Sequence, residues 1–317
     1  MSGLDFEKPI LELEHKIEEL KNFGLTKQVD LGPEIKKLEQ KLDKMKSEIY
    51  SHLTPWQRVQ IARHPRRPYT LDYIRLIATD FLELHGDRLF ADDFALIAGF
   101  AKINNEKILI MGHQKGRDTK ENVMRNFGCA HPEGYRKAIR LMVLAQKFKL
   151  PVVILIDTPG AYPGVGAEER GQAQAIASNL RDMMKIDIPI VATVIGEGGS
   201  GGALGIGIAD RMCILQNAYY SVISPEGCAS ILWRNSSKAP EAARALKLTG
   251  EDLLKFGVVD EIIPEPPGGA HRDPDSVAAH LKKTILKYLK ELSSFSKEDL
   301  LENRYKRFRK IGEFTTH

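Results

Sequence analysis

Two short runs of mostly β-branched apolar residues, Val152–Ile156 and Ile190–Ile195, narrow the choice of fold more than any other feature of this sequence. Neither alternates polar with apolar as a strand with one wet face does, so both must be covered on two sides. A helical pattern from about Ala167 to Met184 separates them, and further strands are expected at Met212–Leu215 and Tyr220–Ile223. Another helix is expected after Pro225-Glu226-Gly227. Buried strands alternating with helices predict an α/β fold with a mainly parallel sheet. No repeat of fixed length occurs, which argues against a solenoid.

Upstream, Phe94–Ile103 and Lys107–Met111 read as strands joined by the turn-forming pair Asn104-Asn105. Ala138, Leu141, Ala145 and Phe148 mark a helix ending before Pro151. At the N-terminus, Ile10, Leu13, Ile17 and Leu20, then Ile35, Leu38, Leu42, Met45 and Ile49, recur at helical spacing. The break from Gly24 to Pro33 predicts two helices folded back on each other. Their stripes are narrow, so the pair leans on the main domain or on another chain. The composition shift at His64-Pro65-Arg66-Arg67-Pro68 and the run Pro264–Gly269 suggest three parts. These are an N-terminal helical segment (1–70), a core (71–265) and a C-terminal helical segment (266–317), with Leu281, Ile285, Tyr288 and Leu289 on one helix face.

Several function classes are excluded early. No apolar run approaches bilayer length, and the first residues lack the layout of a signal peptide. Three scattered cysteines (Cys129, Cys213, Cys228) provide neither a disulfide framework nor a zinc site, and no metal is expected; a reducing cytoplasm fits. The formal charge of +4 does not argue for nucleic acid. Two basic clusters remain, Arg63/Arg66/Arg67 and Arg304/Lys306/Arg307/Arg309/Lys310, read as solvated surface or as contacts for an anionic ligand or partner.

Chemistry is expected at two strand-to-helix junctions: Asp157-Thr158-Pro159-Gly160-Ala161-Tyr162-Pro163-Gly164 and Gly196-Glu197-Gly198-Gly199-Ser200-Gly201-Gly202-Ala203. Ligands in open α/β sheets bind beyond the carboxyl ends of strands. Glycines admit close backbone approach, and amides opening a helix have no partner inside it, so such a junction suits an anion. The bland alternative is that these glycines only permit tight turns. Gly196-x-Gly198-x-x-Gly201 matches a dinucleotide fingerprint but lies late in the chain; no phosphate-loop lysine motif exists, and Ser200 lacks the spacing of a nucleophile elbow. Two backbone anion sites without an obvious side-chain nucleophile suit enolate chemistry.

The two junctions, together with His85-Gly86-Asp87-Arg88, Arg125-Asn126-Phe127-Gly128, Pro132-Glu133-Gly134-Tyr135-Arg136-Lys137 and Ser221-Val222-Ile223-Ser224-Pro225-Glu226-Gly227, resemble the alpha-subunit family of multi-subunit acetyl-CoA carboxylase carboxyltransferases. The resemblance spans essentially the whole chain. It implies a crotonase-like fold, a spiral of ββα units, here with an N-terminal helical hairpin and C-terminal helices. It also implies cytoplasmic fatty acid synthesis in an assembly of two alpha and two beta chains, without membrane or nucleic acid. In that family carboxybiotin, borne on the biotin carboxyl carrier protein, gives its carboxyl group to acetyl-CoA to form malonyl-CoA. Biotin itself supplies the base. The zinc ribbon belongs to the beta chain, and ATP is used by the biotin carboxylase component.

Carried onto this sequence, the catalytic groups are the backbone N–H groups of Gly201 and Gly202, which face biotin while the beta chain holds the thioester oxygen. Gly160, Ala161, Tyr162, Gly199 and Ala203 are expected to shape the carboxybiotin pocket. Tyr162 either lines it or packs under the loop, and Asp157 caps the loop. Lys115-Gly116-Arg117 is assigned to the pocket rim or a dimer surface. The main alternative is a self-sufficient crotonase-type hydratase or decarboxylase, for which Glu197 is the one candidate acid. Valine at Gly201 or Gly202 is expected to abolish transfer and leave the fold intact.

Overall fold

The computed structural model describes residues 4–27 and 30–312. One mixed sheet contains β1 (Thr79–Glu83), β2 (Leu96–Ile103), β3 (Glu106–His113), β4 (Val152–Thr158), β5 (Ile190–Gly199), β6 (Arg211–Leu215), β7 (Tyr219–Ser221) and β8 (Glu261–Ile263). The strand order is β1-β2-β3-β4-β5-β6-β8, with β7 paired to β5. The first three strands are antiparallel and every later pairing is parallel. Asn104 turns the β2–β3 hairpin in a left-handed conformation that asparagine tolerates. Each residue of β4 and β5 is buried, as their unbroken apolar runs require.

The strand β5 positions the site. Val191–Val194 pairs with β6, and Glu197–Gly199 pairs with β7. The β4–β5 register shifts between Ile156 and Thr158, bringing Thr158 opposite Gly198.

Three expected elements have different limits. The single helix from Ala167 to Met184 is two, Val165–Glu169 and Gln172–Met183, because Gly171 between them takes a left-handed φ of 81°. The strand expected at Tyr220–Ile223 is Tyr219–Ser221, ended where the Ser221 hydroxyl donates to the Ile223 carbonyl. The first N-terminal helix, Lys8–Lys27, runs through Gly24, while the second is Gly32–Ser51 with Pro33 in its first turn; residues 28–29 of the expected break lie outside the described residues.

These two helices pack through Ile10, Ile17 and Leu42. Lys21 meets Glu39 and Lys46 meets Glu14, the pairing of antiparallel helices. The hairpin leans on its own chain, through Glu14 to Arg272 and through a wall shared by Tyr50 and Gly268.

Both basic clusters contain an arginine that does neither of the things expected of it. Arg67 is wholly buried; its guanidinium forks onto Glu265 at 2.9 and 2.6 Å, and its Nε donates to the Ile195 carbonyl at 2.7 Å. Arg304 is buried on Asp210, with both bonds at 2.8 Å, and on the carbonyls of Met183, Ile186 and Ile188. Sequence cannot separate such cations from solvated ones, because their partners lie 94 to 198 residues away.

Candidate active site

The glycine-rich end of β5 runs straight into a short helix, Ser200–Leu204. Its cap residue is Gly199, without a side-chain bond, so the amides of the first turn are left to the surroundings. Ser200 enters in a left-handed conformation, φ 49°. A Cβ on Gly199 would lie 2.2 Å from the Pro159 carbonyl oxygen, and one on Gly202 would lie 2.4 Å from the Gly160 carbonyl carbon. The two junctions therefore meet backbone to backbone. Gly201 is looser, with its nearest neighbour, Ile176 Cδ1, at 3.4 Å, and Gly160 has open space on its Cβ side. The Thr158 hydroxyl donates to Gly160 O and accepts from Gly160 N, which fixes that turn.

Of the seven expected site residues, Gly160, Ala161, Tyr162 and Gly201 keep exposed surface, while Gly199, Gly202 and Ala203 are buried. Ala203 belongs to the main apolar core. The Tyr162 ring stacks on His131, centroids 4.1 Å apart, and closes over Gly164, while its amide donates to Ala130 O. A side chain at Gly202 would collide with the neighbouring loop's backbone, so valine there must shift the Gly160–Ala161 turn and does not act on a ligand alone.

Beneath the junctions lies an ion network that spacing gave no way to foresee. Lys115 Nζ donates to Asp157 Oδ1 at 2.7 Å and to Glu197 Oε2 at 2.8 Å. Asp157 Oδ1 also accepts the Glu197 amide at 2.9 Å. The other Glu197 oxygen accepts from Arg63 Nε at 2.7 Å and from the Tyr219 hydroxyl at 2.6 Å. Burial alone would raise the Glu197 carboxyl, but Lys115 and Arg63 outweigh it and hold it at about 2. Burial likewise works against the Lys115 ammonium, and the two carboxylates more than offset it, so it stays charged far above the usual lysine range. An ionised carboxylate with both oxygens engaged is a strut, not a poised acid. Lys115, assigned from sequence to a rim or a dimer surface, ties the roots of both loops together.

An apolar groove of about 390 Å³ opens beside the helix start, lined by Ser200, Leu204, Tyr220, Val222, Phe256 and Phe308 among others. Its far wall comes from residues 246–258 and 307–311, which carry no motif. His113 at the end of β3 is fully buried against the Gly202 backbone, without a well-formed bond to either ring nitrogen; burial, then the Lys115 charge, pushes it down to about 3. Asn126 and Phe127 both hold left-handed backbones, which asparagine tolerates but which strain Phe127 by about 1 kcal/mol or more. Among the described residues no group of three or more His, Cys, Asp or Glu side chains is placed to hold a metal, and no helix is long and apolar enough to cross a membrane.

Comparison with known proteins places this geometry. The fold is shared with transcarboxylase 12S (TM-score 0.54, 23% identity, 71% of this chain and 44% of that one) and with the beta subunit of Pseudomonas aeruginosa geranyl-CoA carboxylase (TM-score 0.55, 16% identity, 84% and 48%). The mixed α/β sheet is thus that of the crotonase-like fold, as expected. The family model described as acetyl co-enzyme A carboxylase carboxyltransferase-like matches residues 3–312. Relatives called acetyl-coenzyme A carboxylase carboxyl transferase subunit alpha include one from Thermus thermophilus, 58% identical over 98% of both chains, and one from Geobacter metallireducens, 55% identical over the same shares. The chain belongs to the acetyl-CoA carboxylase carboxyltransferase alpha-subunit family.

Proposed function

We propose that this chain is the biotin-side half of a carboxyltransferase that carboxylates acetyl-CoA to malonyl-CoA for fatty acid synthesis in the cytoplasm, in an alpha2beta2 assembly with a zinc-bearing beta subunit. The observation that carries this reading is the uncapped helix start at Gly199–Gly202, seated against the Gly160–Ala161 turn, beside a Glu197 carboxylate whose two oxygens are already engaged.

The residues fit a carboxybiotin carried in by a biotin carboxyl carrier protein and charged by a biotin carboxylase. When bound, carboxybiotin supplies the carboxyl group and, once that is released, the base. The amides of Gly201 and Gly202 would hold the ureido oxygen, and losing one such donor costs about 100- to 1000-fold in rate. Lys115 and Arg63 keep both Glu197 oxygens engaged, so this carboxylate does not compete for the proton. The same engagement disfavours a self-sufficient hydratase built on Glu197.

The reverse reaction tests the reading: malonyl-CoA decarboxylation dependent on a biotin derivative, with this chain alone and with a matching beta subunit. Activity confined to the mixture, and lost in Gly201→Val with assembly intact, supports it. Turnover by the chain alone would sink the divided site. Silence of a folded complex would point to another acyl acceptor.

A further inference from the structure

Asn126, Phe127 and Gly128 are three consecutive residues with positive φ, 49°, 55° and 79°. Glycine takes such angles freely, but a bulky aromatic residue rarely does. The usual return for strain is burial, and here there is none: the Phe127 side chain is 57% exposed. The turn is nonetheless held firmly. The Asn126 side-chain amide lies 2.9 Å from His131 Nδ1 and 3.3 Å from Asp93 Oδ1. Gly128 donates to Arg125 O at 2.8 Å and Cys129 to Asn126 O at 2.9 Å.

The turn borders the Asp157–Gly164 loop. A Cβ on Gly128 would meet Lys115 Cγ at 2.8 Å and the Asp157 carbonyl oxygen at 3.4 Å, and His131, in contact with the Asn126 side chain, stacks on Tyr162. A strained, over-determined turn that holds a ring in solvent beside a candidate active site is the signature of a residue shaped for a ligand. An exposed ring recovers its burial free energy when a flat partner covers it.

We propose that Phe127 is a substrate-contact residue, a platform on which a planar ring lies while the glycine pair holds its oxygen. The ligand class is a flat, uncharged heterocycle of the size of a fused ureido ring. This inference rests on the reading of the glycine pair given above.

The test uses the assembled complex with its beta subunit, and biocytin as the probe in malonyl-CoA decarboxylation. Phe127→Ala should raise KM for biocytin about tenfold, the loss of one good aromatic contact. KM for malonyl-CoA should stay put, and Phe127→Tyr should restore biocytin binding. Phe127→Gly should show the same biocytin defect with a thermal midpoint at or above wild type, because it relieves the backbone. An unmoved KM for biocytin would overturn the inference. Equal rises in both KM values, or loss of assembly, would make Phe127 a subunit contact instead. Silence of the wild-type complex toward biocytin would remove the glycine-pair reading and this one together, whereas a normal wild-type response with unmoved variants would remove this one alone.

Discussion

Gly202 and Gly160 approach so closely that a Cβ on the first would stand 2.4 Å from the carbonyl carbon of the second. The two loops of the candidate site hold each other's shape, and the glycine at 202 is steric before it is chemical. Gly201, one residue earlier, has room for a methyl group.

Gly202→Ala should therefore lower stability by about 1–3 kcal/mol, the usual cost of overpacking. Gly201→Ala should leave the denaturant midpoint within about 0.5 kcal/mol of wild type. Urea melts of the two variants side by side check the difference. Equal midpoints would mean the loops yield more readily than their contact implies.

Arg67 is enclosed with Glu265 and the Ile195 carbonyl. Arg67→Ala strands a buried carboxylate and should cost about 3–5 kcal/mol. Arg67→Lys should recover only part of this, since an ammonium cannot fork onto both carboxylate oxygens while reaching the carbonyl. Thermal unfolding of both variants reads the result.

Glu197 is ionised and bonded at both oxygens, so it contributes structure rather than proton transfer. Glu197→Gln should lower the thermal midpoint while folded enzyme keeps its transfer rate within about tenfold. A general base would lose roughly 100- to 10,000-fold. Rate per folded molecule, measured below the unfolding range, separates the two.

The pH dependence of stability has a definite sign. His113 is pushed down to about 3 by burial and by Lys115, whereas an unfolded histidine titrates near 6.5. The unfolded chain thus takes up the proton first. The contribution is complete above about pH 6.5 and falls by about 1.4 kcal/mol per pH unit below it. Glu197, held at about 2, loses its contribution in a lower window, below about pH 4.5. Urea midpoints between pH 7 and 5 should decline in wild type and decline less in His113→Leu. Parallel slopes would assign the loss to other groups.

The sheet was legible because strands such as β4 and β5 have nowhere to put a polar residue. The loops were legible because glycine runs after such strands admit few uses. What stayed hidden was pairwise. Nothing local to Lys115 points to Asp157, and nothing at Arg63 points to Glu197; each bond exists only once the sheet has brought distant segments together. Gly171 falls inside one helical pattern in the sequence because a lone glycine inside an apolar period does not reveal its φ. The groove escaped notice because its walls come from three separate stretches with ordinary side chains.

The Arg67–Glu265 pair also bears on how the chain comes off the ribosome. Its partners are 198 residues apart, so for most of synthesis the nascent chain contains the guanidinium without the carboxylate that makes its enclosure affordable. The loop root at Ile195, which Arg67 also holds, cannot settle before Glu265 emerges. The Arg304–Asp210 pair repeats the constraint near the other end. Elongation can order the hairpin and individual helices as they appear, but closure of the site waits for Glu265.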